Sequence, residues 1–143
     1  MTRVIGVGSP FGADRLAWLA VDHLAGLGLQ DCELLKLDRP GSQLVSYFQG
    51  VDQVVIIDAV RLSDRPGGVM RIDVERLHQL EYQTSSHGFG VAESIALAGQ
   101  LGDLPARLHL LGIQTGEDID RLPSIDLGML TSLINRLLDR ASW

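Results

Sequence analysis

The residue best placed to carry chemistry is Asp58, which follows the apolar run Val54-Val55-Ile56-Ile57. Four consecutive β-branched residues predict a strand that is buried on both faces, as central parallel strands are. In open α/β sheets, ligands bind in the crevice beyond the carboxyl ends of the strands. Asp58 is therefore a candidate functional residue. The alternative is that it only turns the chain after the strand, because aspartate is a common turn former.

Two further side chains are candidates to act with Asp58. His87 lies in a Ser/Gly-rich stretch, residues 84–90, and a neutral imidazole is a common ligand for nickel or zinc. Asp14 precedes the first predicted helix, where it is either a third donor or only the N-cap. A stable divalent site usually needs three or four donors. A single loop histidine is more often a plain surface residue, so both interpretations of His87 stay open.

The glycines of Gly6-x-Gly8-x-x-x-Gly12 invite comparison with a dinucleotide-binding loop. The spacing is one residue longer than in the usual fingerprint. Pro10 removes one backbone N–H from the loop, and Asp14 would place negative charge beside the phosphates. The pattern therefore favours a tight strand-to-helix turn over a nucleotide site.

Strands and helices alternate along the chain, which predicts an α/β/α sandwich with a mostly parallel five-stranded sheet. The connection from the central strand to the fourth strand is too short for a parallel crossover, so the fourth strand is expected to be an antiparallel edge strand. The first helix is expected to start at Arg15, after Asp14. The predicted strands cover residues 3–7, 32–37, 53–59, 69–73 and 107–113, and the other predicted helices cover 42–49, 74–81, 90–101 and 128–140.

Composition limits the function classes. The 143 residues are 45% hydrophobic and 21% charged, as expected for one globular domain spanning residues 1–143. The net charge of −6 provides no basic footprint for nucleic acid. No apolar run reaches the length of a membrane span, and the start of the chain has no signal-peptide pattern. With Cys32 as the single cysteine, a cytoplasmic protein without an internal disulfide is expected.

Taken together, these motifs resemble those of the hydrogenase maturation proteases, nickel-sensing endopeptidases that trim the C-terminus of the NiFe-hydrogenase large subunit precursor. The I-D-A strand end combined with the S-H-G-x-G loop is the more specific part of the resemblance. The matching segments occur in the family's order and cover nearly the whole chain: VIGVGSPFGAD at 4–14, VVIIDAV at 54–60, PGGV at 66–69, SSHGFGVAE at 85–93 and LLGI at 110–113.

The resemblance implies a twisted five-stranded sheet between helices and a metal site made of three side chains. Two of these carry over to Asp58 and His87. The third is the second member of an acidic pair, which reads Asp14-Arg15 here. A guanidinium has no lone pair and stays charged, so Arg15 cannot coordinate a cation. Asp14 is then the candidate third ligand; alternatively, Asp58 and His87 act alone while the substrate's own nickel-bound thiolates complete the coordination. The metal would be nickel presented by the substrate, with zinc or cadmium as occupants in vitro.

Three hypotheses follow. The first is a divergent but active endopeptidase that processes the hydrogenase large subunit precursor after nickel insertion, with Asp58 and His87 as its catalytic residues. The second is a catalytically impaired homologue that acts as a precursor-binding or metal-centre assembly module, because Arg15 replaces a ligand acid. The third is a small-ligand or nucleotide-binding domain that keeps only the scaffold.

Overall fold

One five-stranded sheet organises the molecule. A computed structural model describes residues 1–62, 64–74, 90–118 and 120–141, with side chains to residue 139. The strand order is β2-β1-β3-β5-β4; the pairs β1–β2, β1–β3 and β3–β5 are parallel, and β4–β5 is antiparallel. The predicted mostly parallel α/β fold is therefore confirmed. The strands are β1 Thr2–Gly8, β2 Cys32–Asp38, β3 Gln53–Val60, β4 Val69–Ile72 and β5 Arg107–Gln114.

Helices cover both faces of this sheet. The α-helices are α1 Leu16–Ala25, α2 Val91–Leu101 and α3 Leu127–Ala141, and 3₁₀ helices span Gly12–Arg15 and Gly41–Phe48. The α-helices and the second 3₁₀ helix lie close to the predicted ranges. The helix predicted over 74–81 lies, apart from its first residue, outside the described residues. No helix in the described parts of the chain is both long and apolar enough to span a bilayer.

Strand β3 is the shared wall of two hydrophobic cores, and every one of its residues is buried. Successive side chains of a strand point to opposite faces. Val55, Ile57 and Ala59 pack in the core with α1 and α3. Val54, Ile56 and Val60 pack in the core with α2 and the 3₁₀ helix Gly41–Phe48. Burying each large aliphatic side chain contributes about 1.5–3 kcal/mol, so this strand is held firmly from both sides.

The antiparallel edge strand was predicted correctly, and the structure shows that its partner is β5 rather than the central strand. Both edges of β3 are already occupied, by β1 and by β5. The outer edge of β5 therefore receives β4, with Met70 opposite Gly112 and Ile72 opposite Leu110. This arrangement places β5 directly beside the candidate residue Asp58.

The predicted start of the first helix was wrong. A 3₁₀ helix at Gly12–Arg15 precedes α1, whose N-cap is Arg15 with no side-chain cap bond. Asp14 is therefore not the N-cap of α1. Its carboxylate instead accepts a hydrogen bond from Ser9, which competes with the capping geometry.

Candidate functional site

Asp58 lies near the carboxyl end of β3, on the strand face that carries Ile56 and Val60, and it pairs in register with Gly112. Only 2% of Asp58 is exposed to solvent. Its Oδ1 accepts a hydrogen bond of 2.9 Å from the backbone N–H of Ala59. Its Oδ2 is buried and has no hydrogen-bond partner in the described part of the chain. Buried carboxylate oxygens are normally paired, so Asp58 holds one unsatisfied acceptor.

This environment changes the acidity of Asp58. Burial raises the pKa of Asp58 to about 7, because a carboxylate without water is costly to ionise. The hydrogen bond from Ala59 lowers the pKa, and the negative charge of Asp14 raises it. The 3₁₀ helix that carries Asp14 contacts β3, which accounts for the effect of the Asp14 charge on Asp58. Asp58 can therefore change its protonation state close to neutral pH.

Asp14 is brought to this place by a closed loop between β1 and α1. The backbone N–H of Ser9 donates to the carbonyl of Asp14 over 3.2 Å, and the N–H of Asp14 donates to the carbonyl of Phe11 over 3.1 Å. Gly8 makes the closure possible, because a Cβ at that position would collide with the carbonyl oxygen of Asp14. The 3₁₀ helix that contains Asp14 also contacts β3, the strand that carries Asp58.

The glycines of the first loop serve packing. A Cβ at Gly6 would lie 2.9 Å from the carbonyl oxygen of Ala17 and 2.8 Å from a methyl group of Val21. Gly6 and Gly8 together let the first turns of α1 lie directly on β1. This packing explains the glycine spacing, and it supports the tight strand-to-helix turn rather than a nucleotide loop.

Helix α2 begins at the same edge of the sheet as Asp58. In its first turn, the Ser94 hydroxyl donates to the carbonyl of Gly41, which follows the carboxyl end of β2. Beyond its other end, the carbonyl of Asp103 accepts from Gln49, near the start of β3. Helix α2 thus covers the sheet face that Asp58 shares. His87 lies outside the described residues, so its place in the site stays a prediction.

Arg15 is exposed, and its side chain makes no hydrogen bond or ion pair within the described part of the chain. The structure brings together Asp14 and Asp58 from the predicted set. Among residues 1–62, 64–74, 90–118 and 120–141, no three side chains of the usual ligand types form a metal cluster. The described donors are therefore the carboxyl groups of Asp14 and Asp58. The positive charge of Arg15 lies on the same 3₁₀ helix as Asp14.

Sequence reasoning missed Ser9, whose hydroxyl donates to Asp14 Oδ2 over 3.0 Å. Nothing in the local sequence pattern links a serine to an acid five positions later, since the link depends on how the loop closes. Two other histidines have structural partners: His23 contacts Thr131, and His109 contacts Gln53.

Comparison with known proteins gives this geometry a family. Residues 32–133 match the family model described as hydrogenase maturation protease, which is well over half of the chain. The chain belongs to the hydrogenase maturation protease family. The matched range contains positions 58 and 87, and it begins after Ser9, Asp14 and Arg15. The part of the site that departs from the family's pattern therefore lies outside the range matched by this model.

Among curated proteins, the hydrogenase expression/formation protein HupD of Thiocapsa roseopersicina is 31% identical over 119 residues. The match covers 80% of this chain and 54% of HupD, so the chain spans about half the length of this relative. It confirms the kinship of this maturation protease family member with a protein of hydrogenase formation.

Solved structures agree on the fold. The hydrogenase maturating endopeptidase HybD of E. coli superimposes with a TM-score of 0.72 at 22% identity, covering 97% of this chain and 90% of HybD. The NiFe hydrogenase maturation protease HybD of Thermococcus kodakarensis gives a TM-score of 0.69 at 21% identity, covering 95% and 97% of the two chains. These matches show that this maturation protease family member has the HybD-like fold.

Proposed function

We propose that this chain is an endopeptidase that removes the C-terminal extension of a NiFe-hydrogenase large subunit precursor after nickel insertion. The observation that carries the proposal is the buried Asp58 carboxyl group, whose Oδ2 has no partner among the described residues, at the sheet edge where α/β folds bind ligands. A structural acid at that depth would have its oxygens paired. A buried carboxyl group with an oxygen available for a new contact suits a site that binds a charged or polar group.

The residues present fit a cation that is already partly coordinated. Asp58 Oδ2 is an unsatisfied acceptor, and Asp14 adds a second carboxyl group close by. Two carboxyl groups are fewer than the four ligands of a closed protein site, and His87 as a third ligand would still leave one position open. Arg15 adds a repelling positive charge on the same 3₁₀ helix as Asp14. We therefore propose that nickel arrives with the precursor, held by the precursor's own ligands, while zinc or cadmium would occupy the site in vitro.

The chemistry can be assigned to atoms of this chain. Nickel would supply Lewis-acid polarisation of the scissile carbonyl or of a water molecule. Asp58 Oδ2, which no described residue pairs, would orient the attacking water, accept its proton and pass that proton to the leaving amine nitrogen as the peptide bond breaks. Asp14 would hold negative charge beside the cation, and His87 is proposed as the third ligand.

The experiment that tests this function is processing of a purified, nickel-loaded large subunit precursor. The wild-type chain should shorten the precursor at its C-terminus, whereas Asp58→Asn and His87→Ala should leave it at full length. Mass spectrometry of the product identifies the cleaved bond. Wild-type-like cleavage by both variants would remove these residues from the mechanism, and full-length precursor with the wild-type chain would contradict the proposed activity.

The Arg15 guanidinium is exposed and has no partner in the described ranges, which favours a second candidate, a module that binds the precursor without cutting it. Calorimetric titration with Ni²⁺ and Zn²⁺ separates the two candidates when the wild-type chain is compared with Arg15→Glu. Binding by the wild type shows that Arg15 is tolerated and favours the active enzyme. Binding by Arg15→Glu alone, together with no cleavage of the nickel-loaded precursor by the wild type, would establish the binding module.

A further inference from the structure

We propose that Ser9 is the positioning residue that holds Asp14 as the second acid of the site. The inference rests on the proposed function, and it concerns how this chain supplies a second carboxyl group to the site although position 15 is an arginine. Ser9 is only 1% exposed, and its hydroxyl lies 3.0 Å from Asp14 Oδ2. No other side chain in the described part of the chain is hydrogen-bonded to Asp14.

The direction of this hydrogen bond follows from the partners of the hydroxyl. A serine hydroxyl has one hydrogen to donate and lone pairs to accept. The backbone N–H of Phe11 points at Ser9 Oγ over 3.4 Å, which occupies an acceptor position. The single hydrogen of the Ser9 hydroxyl is thus directed at Asp14 Oδ2. Hydrogen bonds to charged acceptors are the stronger kind, so Oδ2 of Asp14 is tethered.

The tether leaves the other oxygen of Asp14 available. Oδ1 has no hydrogen-bond partner among the described residues, and Asp14 is partly exposed. One oxygen is therefore fixed by the protein, and the second can contact a cation or substrate next to Asp58. A carboxylate held in this way loses little conformational freedom when it binds.

The tether also explains how an acid at position 14 can replace one at position 15. In a 3₁₀ helix, neighbouring side chains are about 120° apart, so residues 14 and 15 point in different directions. Arg15 is exposed to solvent, whereas Asp14 is partly buried near Asp58. Ser9 lies directly after β1, and its backbone N–H and side-chain hydroxyl both bind Asp14. These two bonds fix the backbone and the carboxylate of Asp14 relative to the end of β1.

A double-mutant cycle tests the inference, because a residue that acts only through Asp14 has no effect once Asp14 is neutralised. Wild type, Ser9→Ala, Asp14→Asn and the double variant are titrated with Zn²⁺ and Ni²⁺. We expect Ser9→Ala to weaken cation binding about tenfold, the loss of one hydrogen bond to a charged group. The double variant should match Asp14→Asn alone, and Ser9→Thr, which keeps the hydroxyl, should restore binding.

Thr2→Val is the matched control, because Thr2 has a similarly buried hydroxyl in a side-chain hydrogen bond of the same length, 3.0 Å, to Gln53. It should lower the melting temperature without changing cation affinity. If the free cation does not bind wild type, the same variants are compared by kcat and KM on nickel-loaded precursor, with the same expected pattern.

If the wild type binds cation or cleaves precursor normally, two results would overturn the role of Ser9 and leave the proposed function standing. In the first, Ser9→Ala binds or cleaves as well as the wild type. In the second, Ser9→Ala weakens binding or cleavage as much in the Asp14→Asn background as in the wild type. A wild-type chain that neither binds cation nor cleaves precursor would overturn the proposed function and, with it, this inference.

Discussion

The two ends of strand β3 both bury a polar side chain, and they treat it in opposite ways. Gln53, the first residue of the strand, is completely buried, and Asp58, five residues later, is 2% exposed. Both lie in a strand whose other residues are apolar. The two residues therefore offer a comparison within one element and at nearly equal burial.

Gln53 is fully satisfied. Its amide nitrogen donates to the Thr2 hydroxyl over 3.0 Å and to the carbonyl of Leu137 over 3.2 Å. Its Oε1 is then the acceptor for His109 Nε2 at 3.1 Å, which places the imidazole hydrogen on Nε2. The other imidazole nitrogen, Nδ1, then accepts a hydrogen bond of 3.1 Å from the Arg71 guanidinium. This chain of hydrogen bonds ties β1, β3, β5, β4 and α3 together.

Within the described part of the chain, the side chain of Asp58 makes one hydrogen bond and that of Gln53 makes three. Asp58 Oδ1 accepts from the adjacent N–H of Ala59, and no described residue pairs with Oδ2. An unsatisfied buried acceptor costs about 1–3 kcal/mol, so the fold is less stable than it would be with an apolar residue there. Burial alone therefore does not mark a functional polar residue. What distinguishes Asp58 is an oxygen without a partner among the described residues, near the carboxyl end of the central strand.

The largest expected effect is on catalysis. Asp58→Asn keeps the size of the side chain and removes its ability to accept a proton, so precursor processing should fall by about 10²- to 10⁴-fold. Initial rates of cleavage at saturating precursor provide the measurement. Gln53→Leu is the control from the other end of the strand. If the folded fraction of Gln53→Leu loses activity equally, the two ends do not differ in function.

The second expected effect is on how the free energy of unfolding depends on pH, and it comes from the Asp58 carboxyl group. Its pKa is raised to about 7 in the folded chain, so between pH 4 and 7 the folded state binds more protons than the unfolded state. Stability from this group is therefore lost as pH rises, by up to about 4 kcal/mol at pH 8.

In Asp58→Asn the side chain is an amide that does not ionise between pH 4 and 8, so this pH-dependent loss of stability is absent. In denaturant titrations of the metal-free protein at pH 4 to 8, the free energy of unfolding of the variant should increase relative to wild type as pH rises. A constant difference between the two proteins across this range would contradict the raised pKa of Asp58.

At the Gln53 end of β3, a substitution is expected to lower the free energy of unfolding without lowering the catalytic rate. Gln53→Leu leaves His109 Nε2 and the Thr2 hydroxyl without their buried partner. The free energy of unfolding should fall by about 3 kcal/mol, while kcat per folded molecule stays the same. Urea denaturation and an active-site titration measure these two quantities. An unchanged unfolding free energy would show that the chain of hydrogen bonds at this end adds nothing to stability.

The smallest expected effect comes from the glycine that seats Asp14. A Cβ at position 8 meets a backbone carbonyl that cannot swing away, so Gly8→Ala should cost about 2 kcal/mol and weaken cation binding. Gly26→Ala is the matched control, because its backbone φ is −78° and its new Cβ would be 3.5 Å from the nearest atom. Differential scanning calorimetry and cation titration should separate the two variants. Equal behaviour would show that the loop adjusts freely.

Local sequence patterns were enough to predict the order of the elements and the central strand. The β-branched run ending at Asp58 identified the buried strand, and the period-two pattern of β4 identified the edge strand. Turn-forming glycines and the short connection after β3 predicted the antiparallel direction of β4. These features are local, because side-chain periodicity and turn propensity act over a few residues.

The construction of the site depends on tertiary contacts. Nothing local distinguishes Asp58, whose Oδ2 has no partner among the described residues, from Gln53, whose three partners are at least 51 positions away. The same holds for Ser9 and Gly8, which position Asp14 through loop closure instead of helix capping. Pairing and burial of polar groups are set by contacts across the chain, and those contacts exist only once the sheet and helices have packed.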